Sequence, residues 1–171
     1  QKMSEFRPIS LCNVIYKIIS KVLANRLKQG LPNIISPAQS AFVPGRLITD
    51  NVLVAYETIH TMHVRKKGKK MTMALKLDIS KASDQVEWPF LQKIMEKLGF
   101  PTRWIERVMS CVTTPSFSIL VNGKPHGMIH PSRGIRQGDP LSPYLFLLCA
   151  KGFTALLAKV ELEGRITGVS I

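Results

Sequence analysis

Acidic residues are scarce in this chain, 11 Asp and Glu against 24 Lys and Arg, which leaves a net charge of +13 and a pI near 10. That scarcity counts against a small metal-dependent nuclease built on Asp78 and Asp84, which needs more carboxylates than the second half supplies. It also makes a polyanion the first partner to consider, nucleic acid ahead of an anionic membrane surface. Cysteines are few as well. Cys12, Cys111 and Cys149 lie far apart with no paired spacing, which argues against a zinc site and a disulfide framework and suits a reducing compartment. No apolar run approaches the ~20 residues that span a bilayer, YLFLLCA falling far short, and the N-terminus carries no apolar signal core. The expected molecule is soluble and intracellular, with no membrane partner. Repeats and low-complexity tracts are missing too, apart from the basic run RKKGKK at 65–70.

What is present is a chain of 171 residues, 45% apolar, enough for one domain or for one lobe and part of another. The charge is split: residues 1–76 carry +10 and residues 77–171 carry +3. A first part that grips phosphates and a second part that holds cations would give that division, and a solvated basic helix would give some of it. The chain opens at QKMSEFRPIS without a start methionine and closes at GRITGVSI, so it reads as a piece of something longer.

Apolar residues at three- and four-residue steps, Ile15, Ile18, Ile19, Val22, Leu23 and Leu27, predict a helix over 14–29 with Gly30 as its stop. A Pro- and Gly-dense loop follows. Asp50 is placed to cap a helix from 51 to about 64. Alternation over 71–77 predicts a strand, and helices are expected over 88–98 and from 101 to about 111. SFSILVNGKPHGMI, with Asn122-Gly123 at its centre, predicts a hairpin, and Ser142-Pro143 starts a long, mostly buried helix. The order is α+β rather than a regular βαβ alternation.

Three stretches could carry chemistry. In LKLDISKASDQVEW (75–88), Asp78 ends the expected strand and Asp84 follows six positions later, past a turn. A carboxylate at a strand end is a usual way to hold one of two divalent cations set about 3.5–4 Å apart, and the carbonyl of Ile79 could add an oxygen ligand. A turn cap serves equally for Asp78 on these residues alone, and Asp84 suits a structural acid better than a ligand. In SRGIRQGDPLSP (132–143), Gly134 and Gly138 permit close backbone approach, Arg133 and Arg136 offer charge-assisted donors to phosphate, and Gln137 offers an amide; a tight pre-helix loop capped by Asp139 or Ser142 explains the same residues. In AFVPGRLITDN (41–51), a Pro-Gly bend projects Arg46.

In order, FRPISL (6–11), AFVPGRLITDN, LKLDISKASDQVEW and GIRQGDPLSPYLF (134–146) resemble four successive blocks of reverse transcriptases from non-LTR retrotransposons of the LINE type, plant-like in particular. NVIYKIISKVLANRL adds to the likeness, which covers nearly the whole chain. The resemblance implies a right-hand polymerase, with fingers over 1–70 and an incomplete palm over 71–171. It implies RNA-directed DNA synthesis with an RNA template, a DNA primer, deoxynucleotide triphosphates and magnesium (Mg2+, with Mn2+ as a substitute), in the nucleus or cytoplasm. On it, Asp78 matches the first catalytic, metal-binding aspartate. Arg46, Gln137 and Gly138 match nucleotide-side positions, Ser83 matches the sugar-facing position, and Arg7 matches an arginine on the template or nucleotide side.

The chain also departs from that pattern. Where the family reads K-A-Y-D-R or K-A-F-D-R, this chain has Ser83, too small to wall off a 2′-hydroxyl, and where C-A-E-G-F is common it has Lys151. The A-D-D block with the remaining catalytic aspartates is expected after GVSI, beyond the final residue. One aspartate cannot hold two cations, so the isolated chain is expected not to polymerise. The alternative expectation is a non-catalytic RNA-binding remnant or scaffold that keeps the fold.

Overall fold

The computed structural model describes residues 10–64 and 73–168; Arg7, the basic run at 65–70, and Met71 and Thr72 of the expected strand lie outside the described residues. Its elements run α1 (Val14–Ile34), α2 (Ile48–Val64), a 3-10 turn (Ala82–Gln85), α3 (Trp88–Lys97), α4 (Thr102–Thr113), β1 (Phe117–Val121), β2 (Lys124–Ile129) and α5 (Ser142–Leu162). Among the described residues the sheet is one antiparallel hairpin, so the α+β expectation is met by a mostly helical molecule with a small two-stranded sheet.

Helix α1 starts at Asn13, whose side-chain oxygen accepts a hydrogen bond from the Tyr16 N–H at 2.7 Å. The expected stop at Gly30 fails: the helix continues through Pro32 to Ile34. Leu27, Leu31 and Ile35 prolong one buried stripe, and burying an aliphatic side chain contributes about 1.5–3 kcal/mol, enough to offset a glycine and much of a proline. The buried face also differs from the expected one. It consists of Ser20, Leu23, Ala24, Leu27 and Leu31, while Ile15, Ile18, Ile19 and Val22 are exposed.

Helix α2 begins at Ile48, so Asp50 sits inside its first turn instead of capping it; its carboxylate accepts from the Leu47 N–H at 3.3 Å. No residue of α2 is buried. The strand expected over 71–77 is corrected too. Met73–Ile79 has no strand structure, and Met73, Leu75, Leu77 and Ile79 are all exposed. Alternation sets which residues share a face, but a strand exists only where a neighbour completes its backbone hydrogen bonds, and no second strand lies beside this segment among the described residues.

The core gathers where α3 lies against α4 and α5, with α1 closing over α5. Leu91 and Met95 of α3, Ile105 and Val108 of α4, and Tyr144, Leu145, Leu147 and Leu148 of α5 meet Leu23, Leu27 and Leu31 of α1 there. Helix α5 is thus buried over its first turns only, and Leu156, Leu157 and Leu162 face outward, contrary to the expectation of a mostly buried helix. The hairpin forms as its sequence demands. Asn122 and Gly123 both have positive φ, 50° and 77°, the conformation of the two-residue turn that matches strand twist. Val121 pairs with Lys124 and Phe117 with Ile129, with an irregularity between Phe117 and Ile119.

Two leucines of α5 separate packing from helix propensity. Leu148→Ala, at a side chain with no exposure, is expected to cost about 2–5 kcal/mol in urea unfolding. Leu156→Ala, at a side chain 57% exposed, is expected to change stability by under ~0.5 kcal/mol. Equal losses at both would place the core elsewhere.

Candidate functional site

The loop between β2 and α5 is fastened to the segment after Asp78 by its backbone. The Gly134 N–H donates to the Val86 carbonyl at 2.7 Å, the Ile135 N–H donates to the Ser83 carbonyl at 2.9 Å, and the Trp88 indole N–H donates to the Gly134 carbonyl at 2.7 Å. This approach depends on glycine. Gly134 has φ +88°, and a Cβ there would lie 3.2 Å from the Asp84 carbonyl oxygen and 3.3 Å from its Cα. Two stretches distant in the chain are thereby laid side by side, and the Gln137 amide reaches the Asp84 carboxylate, 53 positions away, at 3.5 Å, a long contact.

From there the loop turns through Gln137 and Gly138, whose φ is +92°. The Gln137 carbonyl accepts from the Ser10 N–H at 3.2 Å. The buried carboxylate of Asp139 accepts from the Leu141 N–H at 3.0 Å and, on its other oxygen, from the Tyr16 hydroxyl. The Cys111 carbonyl, 3.3 Å from that hydroxyl, is a second acceptor, and the carboxylate is the stronger of the two. The Arg136 guanidinium lies 4.1 Å from the Tyr16 ring centroid and 5.4 Å from that of Phe117, and donates to Cys12 Sγ at 3.3 Å. Beside this cluster opens a cleft of about 940 Å³, lined on its polar side by Asp84, Arg133, Arg136, Gln137 and Asp139 and on its apolar side by residues of the hairpin and α4.

The expected site residues fall into separate places. Asp78 and Ile79 are exposed on the irregular 73–79 segment. Lys81, in a left-handed conformation, turns the chain into the 3-10 turn that holds Ser83 and Asp84, both half-buried. Asp84, Gln137, Arg133 and Arg136 share the cleft; Ser83 contributes its carbonyl to the loop junction. Arg133 is exposed and pairs with Glu87 at 3.4 Å. Arg46 points inward: its guanidinium donates to the carbonyls of Ser36 at 2.5 Å, Gln39 at 2.6 Å and Ile35 at 3.3 Å, tying off the loop after α1. Among the described residues no group of three or more Asp, Glu, His or Cys side chains gathers that could hold a metal ion. Asp78 and the Ile79 carbonyl alone do not make the donor set of a two-cation centre. Sequence reasoning missed Tyr16, whose one signal was a hydroxyl-bearing aromatic ring, the only aromatic of α1, in that helix's first turn.

Burial, the hydrogen bond to Asp139 and that carboxylate's charge push the Tyr16 phenol well above its ordinary range, with Arg136 opposing them. Burial and the Asp139 charge likewise raise the Cys111 thiol, and burial alone pushes Cys149 up to about 12. The Tyr16 hydroxyl therefore keeps its proton, and its role as donor, at neutral pH.

Two measurements test this geometry. Gly134→Ala is expected to cost about 1–3 kcal/mol, from a left-handed conformation and contact with the Asp84 backbone, and a loss under ~0.5 kcal/mol would show that the loop approaches less closely. The raised groups hold their protons more tightly folded than unfolded, so their contribution is intact below the unfolded thiol pKa of 9.0 and is lost as pH rises, for Cys149 up to about 12. Urea midpoints should stay level up to about pH 9 and then fall, less steeply in Cys149→Ala; an unchanged slope would remove Cys149 from the cause.

A family model described as reverse transcriptase (RNA-dependent DNA polymerase) matches residues 1–166. The chain is similar to the transposon TX1 uncharacterized 149 kDa protein of Xenopus laevis, 32% identical over 98% of this chain and 12% of that protein. It is also similar to the retrovirus-related Pol polyprotein from the type-2 retrotransposable element R2DM of Drosophila melanogaster, 28% identical over 86% of this chain and 14% of that protein. A third relative is the corresponding polyprotein from the type-1 element R2 of Popillia japonica, 28% identical over 86% of this chain and 21% of that protein. The chain thus spans between about an eighth and a fifth of the length of these relatives. Among the described residues no helix is long and apolar enough to cross a membrane.

Proposed function

The chain belongs to the reverse transcriptase (RNA-dependent DNA polymerase) family, as the reverse transcriptase domain of a non-LTR retroelement, and on that premise we propose that it forms the nucleotide- and template-facing part of a polymerase that extends a DNA primer on RNA. In this reading residues 1–70 serve as fingers and 71–171 as palm. Members of the family generally use divalent metal ions and bind template, primer and nucleotides. The observation that carries the proposal is the junction of Gly134–Ile135 with Ser83–Val86, which puts Gln137 and Asp84 on one cleft beside the turn that follows Asp78.

The residues divide by availability. Arg133, paired with an exposed glutamate among the described residues, can exchange that partner for phosphate, since such surface pairs contribute little. Gln137 and Gly138 form the corner that meets the nucleotide, with Ser83 on the sugar side. Arg46 shapes the fingers loop through its three carbonyl contacts, and Arg7 is assigned to the template or nucleotide side. Asp78, with the Ile79 carbonyl, supplies one side of a metal site whose other carboxylates the described residues do not provide.

A second reading, a non-catalytic RNA-binding domain that retains the fold, rests on the net charge of +13, which phosphate binding alone would use. Both readings require RNA binding that weakens steeply with salt, because phosphate contacts release counterions. Primer extension separates them. In a polymerase that completes the carboxylate set around this chain, Asp78→Ala should lower extension by at least about a hundredfold and leave RNA affinity within about twofold. Extension undiminished by Asp78→Ala would end the metal assignment. RNA binding without extension in the unsubstituted protein would favour the second reading.

A further inference from the structure

Gln137 and Gly138 are flanked by Arg136 and Asp139, and one side chain from the far end of the chain holds both flanks. The Tyr16 ring carries the Arg136 guanidinium at 4.1 Å, and the Tyr16 hydroxyl donates to Asp139, 123 positions away. We propose that Tyr16 is a positioning residue that sets the conformation of the Gln137–Gly138 corner, and through it the affinity of the adjoining cleft for the incoming nucleotide; this rests on the polymerase reading above.

The physical case has three parts. Gly138, at φ +92°, is a permissive point within the corner itself, so the corner keeps one shape only if both of its ends are held. Asp139 does the holding on one side: one oxygen receives the Leu141 N–H at the start of α5 and the other receives Tyr16, so its carboxylate cannot rotate without losing a bond in a buried place. Arg136 holds the other side, fitted between the Tyr16 and Phe117 rings with Cys12 Sγ as an added acceptor. A planar guanidinium suits that slot and an ammonium does not. Tyr16 itself is anchored in the first turn of α1 beside the Asn13 cap, a rigid support for both contacts. Charge balance agrees, since a cation and a carboxylate meet the same half-buried phenol from its face and from its hydroxyl.

The test uses two readouts. In this chain, Tyr16→Phe keeps the ring and removes the donor. Hydrogen exchange of the Leu141 N–H, which donates to Asp139, should quicken about tenfold, the loss of one charge-assisted hydrogen bond, with protection of Leu91, Met95 and Val108 unchanged. Unaltered exchange at the corner, or equal quickening across α3 and α4, would overturn the proposal. Asp139→Asn provides a second route to the same contact, and the double variant should exchange no faster than the faster single variant; additive effects would show that the two groups act separately. In the completed polymerase, Tyr16→Phe should raise the nucleotide KM about tenfold while kcat and template–primer affinity stay within about twofold. An unchanged KM alongside quickened exchange would overturn the link to nucleotide binding. If the unsubstituted polymerase extends no primer, the functional reading fails, and the exchange measurement still decides whether Tyr16 holds the corner.

Discussion

The backbone of Gly134 and Ile135 lies against that of Ser83–Val86 at hydrogen-bonding distance, and this contact organises everything else near the site. A side chain at Gly134 would strain it, because a Cβ there would lie 3.2 Å from the Asp84 carbonyl oxygen on a backbone of positive φ. The Trp88 indole, at the start of α3, adds a further bond to the same strip through the Gly134 carbonyl. The helical core below it, α3 against α4 and α5, is then both foundation and beneficiary: Ile135, Val86 and Leu141 bring the junction into the same apolar cluster as Leu91 and Leu148.

Basic residues illustrate how far a charge count reaches. A net charge of +13 makes a polyanion the first partner to consider, whatever the fold. It does not say which cations meet that partner. Arg46 spends its donors on three backbone carbonyls and Arg136 is held between aromatic rings, while Arg133 stays at the surface. A guanidinium with five donors serves equally well as a loop clamp and as a phosphate ligand, and only its surroundings choose between them.

Apolar pattern had a similar reach. Helix α1 carries apolar residues on more than one face, and the face that packs is the one bearing Ser20, Leu23, Ala24, Leu27 and Leu31, small enough at two positions for close approach. Ile15, Ile18, Ile19 and Val22, the more hydrophobic choice by composition, face outward, as do the apolar residues of α2 and of 73–79. Periodicity identifies a face that can be buried; a neighbour with a matching surface decides whether it is.

By itself the sequence determined the hairpin at Asn122-Gly123, the positions of α3, α4 and the start of α5, and the family, because each rests on local backbone preference or on ordered blocks of residues that need no knowledge of neighbours. Only the tertiary structure decided that α1 runs through Gly30 and Pro32, that 73–79 is not a strand, and that Tyr16 meets both Arg136 and Asp139. The physical reason is common to all three. Each outcome depends on groups distant in the chain, a core that rewards Leu31, a ladder partner for an extended segment, and a carboxylate 123 positions from a phenol, and no local pattern encodes where those groups will be.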